Sequence, residues 1–317
     1  MHYLITGGAG FIGSHLSERL LSEGHEILCI DNFNDYYDPK IKEKNLKVSQ
    51  DYNNFRLIPG DILDEELLDK IFRQNQFDGI IHLAARAGVR PSVLQPKLYE
   101  EVNIRGTLNL LEQAKNKNIK KIILASSSSV YGNNKKVPFS ESDPVDNPIS
   151  PYAATKKACE LIAYTYSTLY DISISCLRFF TVYGPRQRPD MAIHKFTKLI
   201  ASGEEIPVFG DGKVKRDFTY YSDIIDGLVR SIDRCNGYNI YNLGESQVIE
   251  LMDLVSLIEK YLGKKAKINW QPRQPGDVEI TYADVTKAKN ELDYNPQVNI
   301  ETGIKQFIKW FEEYQSF

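Results

Sequence analysis

Along the first half of the chain, short apolar runs alternate with amphipathic stretches. Tyr3–Thr6, Glu26–Ile30, Phe55–Pro59, Gly79–Leu83, Ile122–Leu124 and Ser173–Arg178 are mostly apolar, as strands covered on both faces tend to be. Leu16, Leu20 and Leu21 mark one helical stripe between them, and Leu67, Leu68, Ile71 and Phe72 mark another. A long helix is expected over Leu98–Asn116. A further one opens at Pro151, with Ser150 as its cap. This alternation predicts an α/β fold built on a doubly wound parallel sheet of the Rossmann kind. The polar stretch Asn32–Asn54 interrupts it, and its charged helix, about Pro39–Val48, reads as a solvated insertion.

After Arg178 the rhythm weakens. Helices are expected at Ala192–Ser202 and Ser222–Asp233, with a turn at Phe209–Gly212 between them. A strand ends at Asn242-Leu243-Gly244. Leu251, Leu254, Val255, Ile258 and Leu262 then mark an amphipathic helix, and Ile300, Ile304, Phe307, Ile308 and Phe311 the last one. This third reads as a smaller C-terminal α/β lobe, too poor in core to stand alone and packed as a lid on the sheet edge. The division expected is a dinucleotide-binding part, 1–178 plus about 217–243, and a substrate-binding lobe, about 179–216 plus 244–317.

Composition changes little in this picture. The chain has 317 residues, 42% hydrophobic and 26% charged, which suits a globular protein with room for a domain and a large appendage. A net charge of −3 gives no reason to expect nucleic acid or a membrane surface as partner. Met1–Ile5 enters a glycine turn without a basic leader, and no apolar run approaches the roughly 20 residues of a membrane span. A cytoplasmic location is expected. Cys29, Cys159, Cys176 and Cys235 are scattered, so free thiols are expected rather than disulfides. The histidines show no ligand spacing, and no metal is expected. His82, ending an apolar run, reads as a core residue with its hydrogen bonds satisfied.

The first apolar run enters Gly7-Gly8-Ala9-Gly10-Phe11-Ile12-Gly13, in which Gly8, Gly10 and Gly13 fit G-x-G-x-x-G and Gly7, Gly10 and Gly13 fit G-x-x-G-x-x-G. A helix, a second strand and Asp31 follow in the order a dinucleotide site requires. The glycines let the backbone approach a pyrophosphate at a helix N-terminus. Asp31 can accept from the adenosine ribose and would repel a 2′-phosphate, and no arginine adjoins it, so NAD is favoured over NADP. Asp61 is placed to meet the adenine edge. Ala84 and Ala85 allow close approach, and Ser126–Ser129 end the fifth strand beside the nicotinamide.

Tyr152 and Lys156 stand at i and i+4 on the helix that Pro151 opens, on one face. A phenol is a poor base at neutral pH. An ammonium one turn away favours the phenolate, and the pair then suits proton removal from an alcohol. Such spacing is common by chance. Its weight here comes from position, just after the serine-bearing strand end.

These residues, with His82-Leu83-Ala84-Ala85, Asn103, Ser126-Ser127-Ser128-Ser129-Val130-Tyr131-Gly132, Arg178-Phe179-Phe180-Thr181-Val182-Tyr183-Gly184-Pro185, Arg188-Pro189-Asp190-Met191 and Arg216-Asp217-Phe218, resemble the extended short-chain dehydrogenases/reductases. Within that group the chain is most similar, over essentially its whole length, to nucleotide-sugar 4-epimerases of the UDP-glucuronate type. The resemblance implies a tightly bound NAD regenerated in each cycle. Its expected contacts are Gly7, Gly10, Phe11, Ile12, Gly13, Asp31, Asn32, Asp61, Ile62, Leu83, Ala84, Ala85, Asn103, Ser126, Tyr152 and Lys156. It implies that Tyr152 takes the proton of the sugar 4-hydroxyl, that Ser127 bonds the same hydroxyl, and that Lys156 bonds the nicotinamide ribose. Ser127, Ser128, Ser129 and Thr181 would face the sugar. Arg188, Arg216 and Asp277 would meet the nucleotide diphosphate, ribose or sugar, with Arg90 and Arg273 as further candidates.

Related 4,6-dehydratases carry Asp-Glu where this chain has Ser128-Ser129, and related decarboxylases carry Glu at Ser129, so plain epimerisation is favoured. Neutral-sugar epimerases of the group usually have Asn where Thr181 sits, a further pointer to the acidic sugar, and UDP-glucose and UDP-N-acetylglucosamine are the alternative substrates. A UDP-glucuronate decarboxylase or a sugar-nucleotide 4,6-dehydratase is a less favoured alternative, and a dinucleotide-sensing protein without activity is the last. The helices at 98–116 and 151–170 are apolar on more than one face, and in relatives this pair forms a homodimer interface.

Overall fold

The structure, a computed structural model, describes residues 1–273 and 278–315. Twelve strands are described: β1 His2–Thr6, β2 Glu26–Asp31, β3 Phe55–Pro59, β4 Gly79–His82, β5 Lys121–Ser127, β6 Ser173–Phe179, β7 Thr181–Tyr183, β8 Glu205–Phe209, β9 Lys215–Tyr220, β10 Tyr238–Leu243, β11 Val248–Glu250 and β12 Lys267–Gln271. Seven form one parallel sheet in the order β10-β6-β5-β4-β1-β2-β3. Leu4, Ile5, Leu28, Ile80, Ile123 and Cys176 on its central strands are buried, so the sheet is covered on both faces. The strand order reverses between β1 and β4, and the crevice at such a reversal is where ligands of open α/β sheets bind.

Local chemistry explains the helix starts. The Asp64 carboxylate accepts from Leu67 N at 2.9 Å and caps Glu65–Gln74. The Ser150 hydroxyl accepts from Ala153 N at 3.1 Å, and Pro151 then opens Pro151–Tyr170. Cys29, Cys159 and Cys176 are buried free thiols, and the His82 ring bridges the hydroxyls of Thr6 and Thr107 at 2.7 and 2.9 Å. Burial holds the His82 ring neutral, with its pKa lowered to about 3. None of the described helices is long and apolar enough to cross a membrane.

Three expectations are corrected. The helix over Leu98–Asn116 is segmented into Pro96–Tyr99, a π-helical turn Glu100–Arg105, and Gly106–Asn116, and a short helix Val89–Leu94 precedes it. π-turns inside helices cluster at functional sites, and this one carries Asn103. The insertion is two helices, Pro39–Asn45 and Lys47–Gln50, and is not merely solvated. Its Lys42, Asn45, Leu46 and Ser49 are buried, because Lys42 reaches Asp31 and Asn45 donates to the Ala9 carbonyl. The C-terminal third has a core of its own. Ile193, Phe196, Ile206, Val208, Phe218, Leu254, Ile258, Ile304 and Phe307 bury one another between a three-stranded sheet (β11-β9-β7), a two-stranded one (β12-β8) and the helices 192–202, 251–262 and 300–315.

Asp217, fully buried on β9, staples this lobe together where it leaves the large sheet. Its carboxylate accepts from the backbone N–H of Glu245, Ser246 and Ala283 at 2.9, 3.1 and 3.1 Å, and from the Thr219 hydroxyl at 3.2 Å. Glu245 pays for the arrangement, since its Oε2 is buried without a hydrogen-bond partner. Burial, then Asp223 and Asp217, push its carboxyl up to about 7, against the pull of Lys289. The folded state therefore keeps this proton between about pH 4.3, the unfolded value, and pH 7. The associated stability is complete below that window and is lost as pH rises through it. A Glu245→Gln variant is expected to be more stable than wild type in denaturant melts at pH 8, with the advantage gone at pH 4. An equal difference at both values would contradict the assignment.

Candidate active site

The turn after β1 brings backbone, not side chains, to the crevice. Gly7 sits at φ +70°, where a Cβ would lie 2.7 Å from the Ala84 nitrogen, and a Cβ on Gly13 would overlap the Gly7 carbonyl. The helix Phe11–Ser22 starts at Gly10 without a side-chain cap. Its first N–H groups and its positive end thus point into the crevice, as a pyrophosphate site requires.

From this turn a cleft of about 480 Å³ runs along the carboxyl ends of the strands. Gly7, Gly10, Phe11, Ile12, Gly13, Asp31, Asn32, Asp61 and Ile62 line one end, Leu83, Ala84, Ala85 and Ser126 the middle, and Ser127, Ser128, Ser129, Tyr152, Lys156, Thr181 and Arg188 the other. A smaller cavity of about 160 Å³ shares Ser128, Ser129 and Thr181 with it and adds Arg216. The close-approach glycines, the acid at the end of β2 and the small alanines after β4 fit a dinucleotide.

Asp31 accepts from Ala9 N at 3.2 Å, Phe33 N at 3.0 Å and Lys42 Nζ at 2.9 Å. Asp61 accepts from Asn32 Nδ2 at 2.7 Å and Leu63 N at 2.9 Å. Lys156 is buried and donates to the Ala125 carbonyl at 2.7 Å, which fixes it against β5. Half-buried Tyr152, one turn earlier, meets the ring of Tyr99 edge-on at 6.2 Å. The Ser127 hydroxyl accepts from Ser129 N at 3.2 Å and caps the short 3-10 turn Ser128–Tyr131.

Beneath this end lies a buried network that the sequence reading missed. Glu160 takes both arms of the Arg178 fork at 2.8 and 2.9 Å and the Ser126 hydroxyl at 2.7 Å. Arg178 also donates to the Tyr131 hydroxyl at 2.9 Å, which donates to Asn242 at 2.7 Å. Burial works against the charge on Glu160, but Arg178 and Ser126 hold its carboxyl below the usual range. The available signal was a glutamate two turns beyond Tyr152, on the same face as the small core residues Cys159 and Ala163.

Asn34, Tyr36, Tyr37, Lys42 and Arg86 also line the cleft and were missed. Arg188 forks onto Asp190 with two bonds of 2.9 Å and lies over the Tyr36 ring at 5.3 Å. Some expected contacts fall elsewhere. The Asn103 side chain stands outside the cleft lining, because it is spent on the Arg86 backbone N–H and carbonyl, at 2.8 and 3.0 Å, and on Thr155 at 3.0 Å. It shapes the loop that follows β4. Arg90 also stands outside the lining and stacks on Phe209 at 4.3 Å. Arg273 pairs with Glu279 at 2.8 Å, and Arg216 donates to the Lys215 and Val278 carbonyls at 2.8 and 2.7 Å. Asp277 lies outside the described residues.

A serine, a tyrosine and a lysine lining one end of a cleft with a glycine turn at the other fit the extended short-chain dehydrogenases/reductases. Comparison with known proteins narrows the class. A profile described as GDP-mannose 4,6 dehydratase matches residues 4–307, and the chain belongs to this family. It is 45% identical to a UDP-glucuronate 4-epimerase of Thermodesulfobacterium geofontis, over 98% of this chain and 96% of the relative. The crystal structure of UDP-glucuronic acid 4-epimerase from Bacillus cereus, in complex with UDP-glucuronic acid and NAD, superposes with a TM-score of 0.93 at 36% identity, covering 99% of this chain and all of that one. A UDP-glucose 4-epimerase from Thermotoga maritima, crystallised with UDP-glucose, gives a TM-score of 0.92 at 32% identity, covering 99% and 100% of the two chains.

The buried network predicts a specific cost. Glu160→Gln leaves the Arg178 guanidinium without its counter-charge and is expected to lose about 3–5 kcal/mol of stability in denaturant melts. Replacing both residues by methionine should recover much of that loss. A single variant as stable as wild type would show that the pair is not a structural tie.

Proposed function

We propose that the protein is an NAD-dependent 4-epimerase that interconverts UDP-glucuronate and UDP-galacturonate through a transient 4-keto sugar. The observation that carries this reading is the pair of uncharged side chains, Ser128 and Ser129, facing the Tyr152–Lys156 end of the cleft. When bound, NAD would supply a reversible hydride acceptor beside sugar carbon 4. Tyr152 takes the 4-hydroxyl proton and later returns it. The Lys156 ammonium, one turn along the helix and fixed against β5 by the Ala125 carbonyl, holds the nicotinamide ribose. Ser127 orients the same hydroxyl.

Between the two transfers the sugar must turn over while its diphosphate stays held, a task for Arg188 and Arg216. Loss of water would need a general acid and base beside the sugar, and residues 128 and 129 supply neither. A 4-keto glucuronyl group is a β-keto acid that loses carbon dioxide when its carboxylate bond aligns with the ketone. The hydroxyls of Ser128, Ser129 and Thr181 can donate to that carboxylate and hold it out of alignment. In this reading residues 1–178 plus about 221–243 carry the cofactor and about 179–220 plus 244–317 the nucleotide sugar, the expected boundary at 217 moving because β9 pairs within the C-terminal lobe. Four free thiols suit a reducing compartment, and we place the enzyme in the cytoplasm.

Incubation with UDP-glucuronate and, separately, UDP-glucose, followed by NMR, tests the assignment. UDP-galacturonate without any pentose product is expected. Pentose would mean a decarboxylase, turnover of UDP-glucose alone a neutral-sugar enzyme, and no turnover of either a non-catalytic protein. A Tyr152→Phe variant is expected to lose nearly all turnover and still bind NAD. Wild-type rates in that variant would remove Tyr152 as the base.

The assembly proposed is a homodimer through the helical segments at 98–116 and 151–170. Leu161, Tyr164 and Leu169 are 56, 53 and 70% exposed on one helix, and Leu108 is 36% exposed on the other, an apolar surface that a second copy would cover. Light scattering at micromolar concentration should give twice the chain mass, and Leu161→Glu with Leu169→Glu should give monomer. A monomeric wild type would refute the proposal.

A further inference from the structure

At the end of β2, a charged side chain from the insertion reaches into the cleft. Lys42 Nζ lies 2.9 Å from Asp31 Oδ1, and the two side chains are only 8 and 4% exposed. Both line the cleft. The partners of this lysine that define its place are the Asp31 carboxylate and the ring of Tyr37, whose centroid is 5.6 Å away. The nearest other acid in the lining, Asp61, is engaged by Asn32 and the Leu63 N–H. This end of the cleft therefore holds two carboxylates and one ammonium, and the ammonium already balances Asp31.

We propose that Lys42 is a cofactor-specificity residue, a cation masked by Asp31 that favours a 2′-phosphorylated dinucleotide once that carboxylate is removed. The proposal rests on the dinucleotide reading of the cleft and is independent of which sugar is turned over. Asp31 acts in two ways. Its carboxylate repels a 2′-phosphate, and it occupies the ammonium that would otherwise bind one. Removing the carboxylate's charge while keeping its shape should do more than relax selectivity. It should release a buried cation that lacks a counter-ion, a state costly enough to favour an anion in the same place. The 2′-phosphate of NADP, an acceptor-rich dianion, is such an anion. A lysine that serves only to hold the insertion against the sheet predicts no such gain.

The test is binding, read without turnover. Wild type, Asp31→Asn, and the double variants Asp31→Asn/Lys42→Met and Asp31→Asn/Lys42→Gln are equilibrated by dialysis with NAD and with NADP. Bound dinucleotide is identified by chromatography after denaturing the protein, and circular dichroism checks that each variant is folded. Wild type should bind NAD and discriminate against NADP. Asp31→Asn should bind NADP about ten- to a hundredfold more tightly than wild type does, the range of a charge-assisted hydrogen bond. Both double variants should lose that gain. Two different residues at position 42 guard against a packing fault in one of them. Asp31→Asn that binds NAD without gaining NADP, or double variants that keep the gain, would overturn the proposal alone. A wild type that binds neither dinucleotide would overturn the reading of the cleft and this proposal with it.

Discussion

The reactive end of the cleft depends on the ion pair between Glu160 and Arg178. Burying two charges is costly, and it is repaid only when the geometry is good and the remaining hydrogen bonds are made. Here both arms of the guanidinium fork are used, and Ser126 and Tyr131 take the sites left over. The network joins the helix 151–170 to β6, to β5 through Ser126, to the turn after β5 through Tyr131, and to β10 through Asn242. Apolar contact would hold that helix near the sheet without fixing its rotation. The fork is directional, so it also sets which face of the helix meets the cleft. Lys156 lies one turn before Glu160, and Tyr152 one turn before that. Their aim follows from a pair of charges neither of them touches.

The opposite wall of the cleft is set by the segment that follows β6, and that segment is anchored on the glycine helix. Arg186 pairs with Glu18 at 2.7 Å, His15 meets the Pro185 carbonyl at 3.0 Å, and its ring stacks on Tyr221 at 4.0 Å. Burial, and then Arg186, keep His15 neutral, with its pKa lowered to about 3, so this joint does not switch near physiological pH. Arg188 follows two residues on, steadied by Asp190 and Tyr36. Burial opposes the charge on Asp190, but the Arg188 fork holds its carboxyl below the usual range. The helix that follows the glycine turn therefore also helps position Arg188 in the far wall of the cleft.

What could be read from the sequence follows from how local each signal is. The buried strands and the helices at 11–22, 65–74, 151–170, 192–202 and 251–262 came through because periodicity, caps and terminal glycines act within a few residues. The strand-end residues were legible too, since a doubly wound sheet sends all its carboxyl ends to one edge. Lys42 and Tyr36 were not. Their polar, aromatic surroundings look like any exposed loop, and only the approach of Asp31 and Arg188, distant in sequence, gives them a role. Asn103 was legible as a residue beside the site, and its bonds to the Arg86 backbone and Thr155 show it bracing the loop after β4, which the sequence does not display. The C-terminal core was underestimated for a related reason. Its apolar residues come from β7 to β9 and three separate helices, so no single stretch displays them.

The turn after β5 explains how one scaffold can serve different chemistries. Val130 and Tyr131 are buried at 0 and 3% exposure and lock the turn to the core, while Ser127 caps its start. Between these anchors Ser128 and Ser129 are half-buried and face the cleft, so their side chains can change without disturbing the backbone that holds them. The family profile that matches this chain is described by a dehydratase activity, yet elimination needs an acid and a base that these positions do not provide. A carboxylate here would also sit beside the carboxylate of a glucuronyl sugar, and two like charges in a partly dehydrated cleft repel strongly. Hydroxyls avoid that repulsion and still donate hydrogen bonds. Neutral side chains at 128 and 129 thus do two things at once. In the proposed reaction they would admit an acidic sugar and offer its oxidised form no carboxylate to carry it further than the return of its hydride.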